Sequence, residues 1–285
     1  MESRVLLIED DSHNQEVLQQ RFEAANMHLD VVRTGAEGIA YAARFLPQAI
    51  IVSSSLPDMD GGDVVRRLRE MTRTHHIFLM LVADKEIHRE RLNALELGAD
   101  DFVSAPFDPD EVHLRIRNAL QRANASNLIS PITGLPALRL IQDQLRHLIQ
   151  KPEGDWALLR VHVESLEPFR EVYGFQAGTD FLNGVARILS VALSHDDVEN
   201  DFLGYSGNDD FIVVTTRQRR SSLIEEIQAA FAEQMPNHYA FMERQQGYVQ
   251  IDDVRAPLAS LKILTITAAD GPFYDIRSLS EALAG

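Results

Sequence analysis

Short apolar runs alternate with segments of helical periodicity over the first 123 residues, and this alternation constrains the fold more than any other feature. The strand-like runs are Val5–Ile8, Leu29–Val32, Ala49–Val52, Ile77–Ala83 and Asp101–Ser104. The helical segments are Asn14–Ala25, Ala36–Phe45, Val64–Met71, Ile87–Leu97 and Val112–Ala123. Strands and helices that alternate in this way form a parallel sheet with helices on both faces. The pattern predicts an α/β fold with a doubly wound, five-stranded parallel sheet.

The carboxyl ends of these strands mark the first candidate site, because ligands of doubly wound sheets bind beyond that edge. Glu9 and Asp10 follow the first strand, and Ser53 follows the third. Val82 lies at the end of the fourth strand, and Ala105 follows the fifth. We therefore expect these five residues to lie at one edge of the sheet.

Four motifs occur in order over Arg4–Ala123. They are Leu7-Ile8-Glu9-Asp10-Asp11, Leu56-Pro57-Asp58-Met59-Asp60-Gly61, Gly98-Ala99-Asp100-Asp101-Phe102 and Ala105-Pro106-Phe107. Together they resemble the receiver domain of bacterial response regulators. The resemblance implies a magnesium ion held by an acidic pair, an aspartate that accepts a phosphoryl group, and a hydroxyl and a lysine that read the phosphate.

The resemblance also shows that altered residues stand at the positions that carry this chemistry. The phosphoacceptor position holds Ser53, whose hydroxyl brings no negative charge to a hard-cation site. Val82 and Ala105 replace the hydroxyl and the lysine, and neither side chain can bind phosphate. The acidic pair remains as Glu9 and Asp10, so we expect weak magnesium binding at best and no other cofactor. These changes predict a pseudo-receiver that is retained for packing or docking.

The loop after the third strand carries two further carboxylates, Asp58 and Asp60. They are alternative phosphoacceptors for a receiver that still works as a switch. Because they lie beyond the end of the strand, we interpret them as solvated loop residues.

The chain from residue 131 onward has a different pattern, with consecutive strands and helices to pack on them. The helical segments are Leu138–Ile149, Ala177–Leu193, Ser222–Phe231 and Ile276–Leu283, and the strand-like runs are Trp156–Val163, Phe202–Tyr205, Phe211–Thr215, Tyr248–Ile251 and Leu261–Thr267. Gly207-Asn208 is a two-residue turn signal that predicts a β-hairpin. The pattern predicts a second α/β domain with a mostly antiparallel sheet. Polar residues 124–130 are predicted to link domain 1–123 to domain 131–285.

Three motifs occur in order in this second half. They are Ser130-Pro131-Ile132-Thr133-Gly134-Leu135-Pro136, Tyr173-Gly174-Phe175-Gln176-Ala177-Gly178 and Gly207-Asn208-Asp209-Asp210-Phe211. They resemble the motifs of the GGDEF, or diguanylate cyclase, domain over Ser130–Gly285. The resemblance implies condensation of two GTP molecules into cyclic di-GMP across a dimer, with divalent metal neutralising the phosphates.

By this resemblance, a metal-ligating aspartate is replaced by His162, while the acid that follows it is retained as Glu164. The asparagine and the aspartate that read guanine are replaced by Arg170 and Thr179. An arginine offers only hydrogen-bond donors, so Arg170 cannot copy an amide that both donates and accepts. These replacements argue against nucleotide turnover.

The signature itself departs from the family pattern in two places. Gly207 and Asp209 match it, Asn208 replaces a glycine, and Asp210 is one methylene shorter than the expected glutamate. The resemblance also implies a product-inhibition site with an arginine, and Val198 stands at the position of that arginine. We therefore interpret the hairpin as a degenerate signature whose tip is solvated.

Composition narrows the class of partner. The chain has 285 residues, of which 43 are acidic and 27 basic, for a net charge of −16. This balance argues against binding to nucleic acid or to anionic membranes. Cysteine is absent, which excludes disulfides and thiolate metal sites. The N-terminus runs directly into the first strand and does not resemble a signal peptide, so we expect a cytoplasmic protein.

These observations predict a non-catalytic signalling protein of the two-component or cyclic di-GMP type. It is expected to act by contact with proteins such as a sensor kinase, or with a second copy, through the receiver face from Ile87 to Ala123. One alternative is a sensor that binds GTP or cyclic di-GMP without turnover, and another is a surviving cyclase. A further alternative is a new transition-metal site formed by His162, Asp209 and Asp210.

Overall fold

The chain folds into two units, Met1–Ser126 and Asn127–Gly285, each with its own hydrophobic core. The computed structural model describes residues 4–83, 92, 94–125, 128–194 and 201–283. Within these ranges no helix combines the length and the apolar character needed to cross a bilayer.

The first unit is a parallel sheet of five strands with helices on both faces. The strands are β1 Arg4–Ile8, β2 His28–Val32, β3 Ala49–Ser53, β4 Phe78–Ala83 and β5 Asp101–Ser104. The helices with described ends are α1 Ser12–Ala24, α2 Gly35–Phe45, α3 Gly61–Glu70 and α4 Pro109–Ala125. The strand order is β2-β1-β3-β4-β5, and every pair is parallel. This confirms the predicted doubly wound sheet.

The helix predicted over Ile87–Leu97 lies largely outside the described residues, of which 92 and 94–96 are helical. The docking face predicted from Ile87 to Ala123 is therefore described only in part. Its described part consists of β5, most of α4 and the residues just before β5.

Capping side chains set the first residues of the helices in this unit. Asp11 accepts the backbone N–H of Asn14, so α1 begins two residues earlier than the apolar periodicity predicts. Asp60 caps α3 in the same way, and this helix therefore starts at Gly61 rather than at Val64. The periodicity marks only the buried face of a helix, and its polar first turn carries no such signal.

The second unit is an antiparallel sheet with helices packed against it. Its strands are β6 Ala157–Glu164, β7 Phe202–Gly207, β8 Asp210–Thr215, β9 Tyr248–Ile251, β10 Val254–Pro257 and β11 Ser260–Thr267. Its α-helices are α5 Leu138–Ile149, α6 Leu166–Tyr173, α7 Phe175–Leu193, α8 Arg220–Gln234, α9 Phe241–Gln246 and α10 Ile276–Ala282. The main sheet has the order β11-β6-β8-β7, and all of its pairs are antiparallel. This confirms the predicted α/β class of the second half.

Three short elements of this unit, α6, α9 and β10, were not predicted by the sequence pattern. Helix α6 has 8 residues and α9 has 6, so neither repeats an apolar stripe over several turns. Strand β10 pairs only with β9 and is mostly exposed. Tertiary contacts stabilise these elements, and a single-sequence pattern does not report such contacts.

The hairpin between β7 and β8 turns one residue later than predicted. Gly207 pairs with Asp210, so the two turn residues are Asn208 and Asp209 rather than Gly207 and Asn208. Both turn residues are left-handed, with φ of 51° and 63°, as a type I′ hairpin turn requires. An irregularity in the ladder between Tyr205 and Gly207 absorbs the extra residue.

Candidate functional site

The first candidate site lies where the strand order of the parallel sheet reverses, between β1 and β3. Ile8 pairs with Val52, so Glu9, which follows β1, and Ser53, the last residue of β3, lie at the same edge. Ser53 also pairs with Val82 on β4, and Ala105 follows β5 at that edge. The fold thus brings the predicted positions to one edge, as the topology requires.

The carboxylate of Glu9 is engaged by its own segment. Its Oε1 accepts the backbone N–H groups of Asp10 and Asp11 at 3.0 and 3.1 Å, and its Oε2 accepts the side-chain amide of Asn14 at 3.1 Å. The residue is buried, and this burial raises the pKa of the Glu9 carboxyl above its ordinary value. Asp10 is exposed beside it. Glu9 therefore acts as a local capping group for the loop before α1.

The acceptor position is closed by short-range contacts. Ser53 is 3% exposed, and its Oγ donates to the carbonyl of Ser55 at 3.2 Å. Val82 is buried, and its carbonyl accepts the N–H of Ser54 at 2.7 Å. Ala105 donates its N–H to the carbonyl of Ala83 at 2.7 Å. A neutral hydroxyl, an engaged carboxylate and one exposed aspartate do not fit the oxygen-rich shell of a magnesium ion.

Asp58 and Asp60 are structural capping residues rather than free loop carboxylates. Asp58 accepts the N–H groups of Gly35 and Ala36, at the N-terminus of α2, at 2.8 and 2.9 Å. These two hydrogen bonds lower the pKa of the Asp58 carboxyl below its ordinary value. Asp60 accepts the N–H of Gly62 at the start of α3 at 2.7 Å. Both residues are exposed, as expected for solvated loop residues, and each also binds the backbone of a helix.

The second candidate site is the β7–β8 hairpin of the antiparallel sheet, where it lies beside β6. Asp210 pairs with His162 across the β6–β8 ladder, and His162 Nδ1 lies 3.0 Å from Asp210 Oδ1. Arg160, two residues earlier on the same face of β6, holds Asp210 with two hydrogen bonds of 2.9 Å each. The side chain of Asp210 is only 13% exposed. Both of its oxygens are thus bound by one guanidinium.

Asp209 has an equivalent partner on α6. Arg170 donates to Asp209 Oδ2 at 2.9 Å and to Oδ1 at 2.6 Å, and the two side chains are 17% and 16% exposed. A weaker contact of 3.3 Å joins Arg170 to Glu167. The shaft of Arg170 crosses Gly178 on α7, where a Cβ atom would stand 2.6 Å from Arg170 Cγ. The glycine therefore makes room for the arginine that binds the signature.

The donor set at the hairpin does not fit a divalent cation in this arrangement. Both oxygens of Asp209 and both of Asp210 accept from guanidinium groups, and these bonds raise the pKa of Arg170 and of Arg160. Through the described ranges, no group of three or more histidine, aspartate or glutamate side chains is arranged to hold a metal. A transition-metal site of His162 with both aspartates is therefore not formed.

Comparison with known families agrees with the two units. Residues 5–117 match the model of the response regulator receiver domain, and residues 128–252 match the model of the diguanylate cyclase, or GGDEF, domain. The chain carries a receiver domain followed by a GGDEF domain.

Two curated relatives are response regulators that the chain matches over part of their length. It is 31% identical over 118 residues to the response regulator PleD of Caulobacter vibrioides, which covers 41% of this chain and 26% of that protein. It is also 31% identical over 122 residues to the transcriptional regulatory protein PcoR of Escherichia coli, covering 43% of this chain and 53% of PcoR. The chain thus spans about half or less of these two relatives.

Among solved structures, a similar chain is the signal receiver domain of a putative LuxO repressor protein from Vibrio parahaemolyticus. It is 27% identical, covers 45% of this chain and 97% of its own, and has a TM-score of 0.41.

The remaining predicted residues of the GGDEF domain lie apart from the ion pairs. Glu164 is exposed at the end of β6 and accepts the hydroxyl of Ser260 at 3.2 Å. Thr179 lies partly buried on α7, and Val198 lies outside the described residues. Asp201, three residues after Val198, is buried and forms an ion pair with Arg219. That carboxylate is therefore part of the packed domain.

Arg160 was missed by the sequence analysis, although a usable signal was present. On β6 the partly exposed Arg160 and His162 and the exposed Glu164 alternate with buried apolar residues. Because side chains on a strand point to alternate faces, a residue two positions before His162 shares its face. That the arginine binds Asp210 depends on the β6–β8 register, which the sequence does not specify.

We predict that Asp58→Asn lowers the thermal stability of the receiver domain near pH 7 and that the deficit shrinks near pH 3. The native pKa of Asp58 is below the value of about 3.9 expected in the unfolded chain, so the charged form is favoured in the native state. This contribution is present above the unfolded pKa and is lost as the pH falls through the native pKa. Calorimetric melting of the full chain at both pH values checks the prediction.

The control for this experiment is Glu16→Gln, which removes an exposed carboxylate of α1 that lies beyond the first turn of that helix. Its effect on melting is expected to be small. A deficit for Asp58→Asn that is the same at both pH values would rule out the charged cap.

Proposed function

We propose that this chain is a non-catalytic signalling protein of the two-component and cyclic di-GMP type. It acts by protein–protein contact through a pseudo-receiver and a degenerate GGDEF domain. The observation that carries the proposal is the bidentate pair between Arg170 and Asp209, at 2.9 and 2.6 Å. By the resemblance, Arg170 stands at the position that reads guanine in the family, and here it binds the signature carboxylate instead.

Energetics support this reading of the GGDEF domain. A nucleotide with its metal would need Asp209 and Asp210 to exchange charge-assisted, partly buried hydrogen bonds for metal contacts. Groups that share such a pair are typically coupled by about 0.5–3 kcal/mol. Arg170 also supplies only donors where guanine recognition needs a donor and an acceptor. The arrangement thus favours the state in which Asp209 and Asp210 are paired with the arginines over a state that binds nucleotide and metal.

The receiver domain supports the same proposal from independent residues. Ser53 has no carboxylate to form an acyl phosphate, and Val82 and Ala105 bring no group that reads one. The domain keeps its complete parallel sheet beside this altered edge. A packed core with altered chemical positions suits a role that needs only a stable surface.

We place the contact surface on the β5–α4 side of the receiver domain. There Arg115 bridges Asp101 on β5 and Glu111 on α4, and Leu114 is 39% exposed. Mixed charged and apolar groups are typical of non-obligate interfaces. The partner we propose is a sensor kinase, another signalling protein or a second copy, met in the cytoplasm.

We predict no cyclic di-GMP when the full chain is incubated with GTP and magnesium or manganese, with an active diguanylate cyclase assayed in parallel. We also predict no micromolar binding of GTP or cyclic di-GMP by titration calorimetry, because Arg170 and Arg160 occupy the signature carboxylates. Micromolar binding without turnover would replace the proposal with the sensor alternative. Product formation would replace it with an active cyclase.

We further predict that acetyl phosphate and magnesium leave the intact mass of the protein unchanged. Ser53 is buried and neutral, and the oxygens of Asp58 are bound to the N-terminus of α2. The Ser53→Ala and Asp58→Asn variants serve to locate any label. A phosphoryl group that disappears in either variant would count against the pseudo-receiver.

A further inference from the structure

Each carboxylate of the GGDEF hairpin is paired with one guanidinium group. Asp209 and Asp210 are adjacent, and each side chain is less than one-fifth exposed, at 16% and 13%. Two neighbouring carboxylates with so little solvent repel each other, and positive charge beside them offsets that repulsion. The fold brings Arg170 from α6 to one and Arg160 from β6 to the other.

We propose that Arg160 and Arg170 are built-in counterions that take the place of a divalent cation at this hairpin. Each guanidinium supplies two N–H donors to the two oxygens of one carboxylate, which is the geometry of bidentate pairing. A metal ion would neutralise the same carboxylates only after displacing both arginines. The folded hairpin therefore needs no bound metal, and the two carboxylates become available to a metal only when the arginines are removed.

The surroundings of each arginine are shaped for this role. Gly178 leaves space for the shaft of Arg170, since a Cβ there would stand 2.6 Å from Arg170 Cγ and 3.0 Å from its Nε. Arg160 shares its face of β6 with His162, which contacts the same Asp210 at 3.0 Å. Both arginines thus reach the hairpin from elements that the sheet and helices hold in position.

This inference concerns the same hairpin as the proposed function but has its own readout. Binding of a metal to the carboxylates is measured without nucleotide, partner or turnover. A protein that signals by contact and still binds manganese at the hairpin would refute the inference alone. A protein that converts GTP would refute the proposed function through a different measurement.

The test is the binding of Mn²⁺ to the full chain, measured as the loss of the electron paramagnetic resonance signal of free Mn²⁺. Two comparisons are made. The first is between the wild-type protein and D209N/D210N, and the second is between R160M/R170M and the quadruple variant R160M/R170M/D209N/D210N. Methionine keeps an unbranched apolar shaft like that of arginine and removes the charged guanidinium. R146M is the matched control, because Arg146 pairs with the exposed Asp143 on α5. Glu9 and Asp10 are present in every protein, so their binding cancels.

We expect the wild-type protein and D209N/D210N to bind Mn²⁺ alike, and R146M to match the wild type. R160M/R170M is expected to bind Mn²⁺ at the hairpin at least about tenfold more tightly than the wild-type protein does. Adding D209N/D210N to R160M/R170M is expected to remove this binding. Wild-type binding that D209N/D210N abolishes would overturn the proposal, and so would a folded R160M/R170M that gains no site. If circular dichroism shows that the double variant is unfolded, R170M alone decides in the same way.

Discussion

The ion pairs at the β7–β8 hairpin are the interaction on which the account of the second domain depends. They join three separate elements, because Asp209 and Asp210 lie on the hairpin, Arg170 on α6 and Arg160 on β6. Two partly buried carboxylates next to each other would repel, and each is instead neutralised by one guanidinium. The geometry of the hairpin thus follows from charges within the chain.

The receiver domain treats its acidic residues in a comparable way. Glu9 accepts N–H groups of its own loop, and Asp58 accepts those of Gly35 and Ala36 at the start of α2. In both domains, carboxylates near the family's reaction centre bind groups of the same chain. This shared property is the physical basis for proposing a protein that signals by contact.

The sheets and most long helices followed from the sequence because their signals are local. The strands β1 and β3 are buried apolar runs, and α7 has an apolar face along most of its length. The hairpin turn was displaced by one residue, because a ladder irregularity between Tyr205 and Gly207 is not visible as composition.

The sequence predicted where the candidate sites lie in the fold better than it predicted which side chains contact each other there. Glu9 and Ser53 meet at one sheet edge by topology alone. That Asp58 caps α2 depends on a loop reaching a helix more than 20 residues away in sequence, with Gly35 N–H as donor. Arg160 was missed for a similar reason, since its partner Asp210 lies on another strand. Long-range pairing of polar side chains is set by register and loop path, and neither has a periodic signature.

A double-mutant cycle between Arg170 and Asp209 measures directly whether this ion pair stabilises the GGDEF domain. The free energy of urea unfolding of the GGDEF domain would be measured in the full chain for the wild type, R170M, D209N and R170M/D209N. We expect a favourable coupling energy of about 0.5–3 kcal/mol for this partly buried pair. A coupling energy within about 0.3 kcal/mol of zero, the usual result for independent sites, would contradict it.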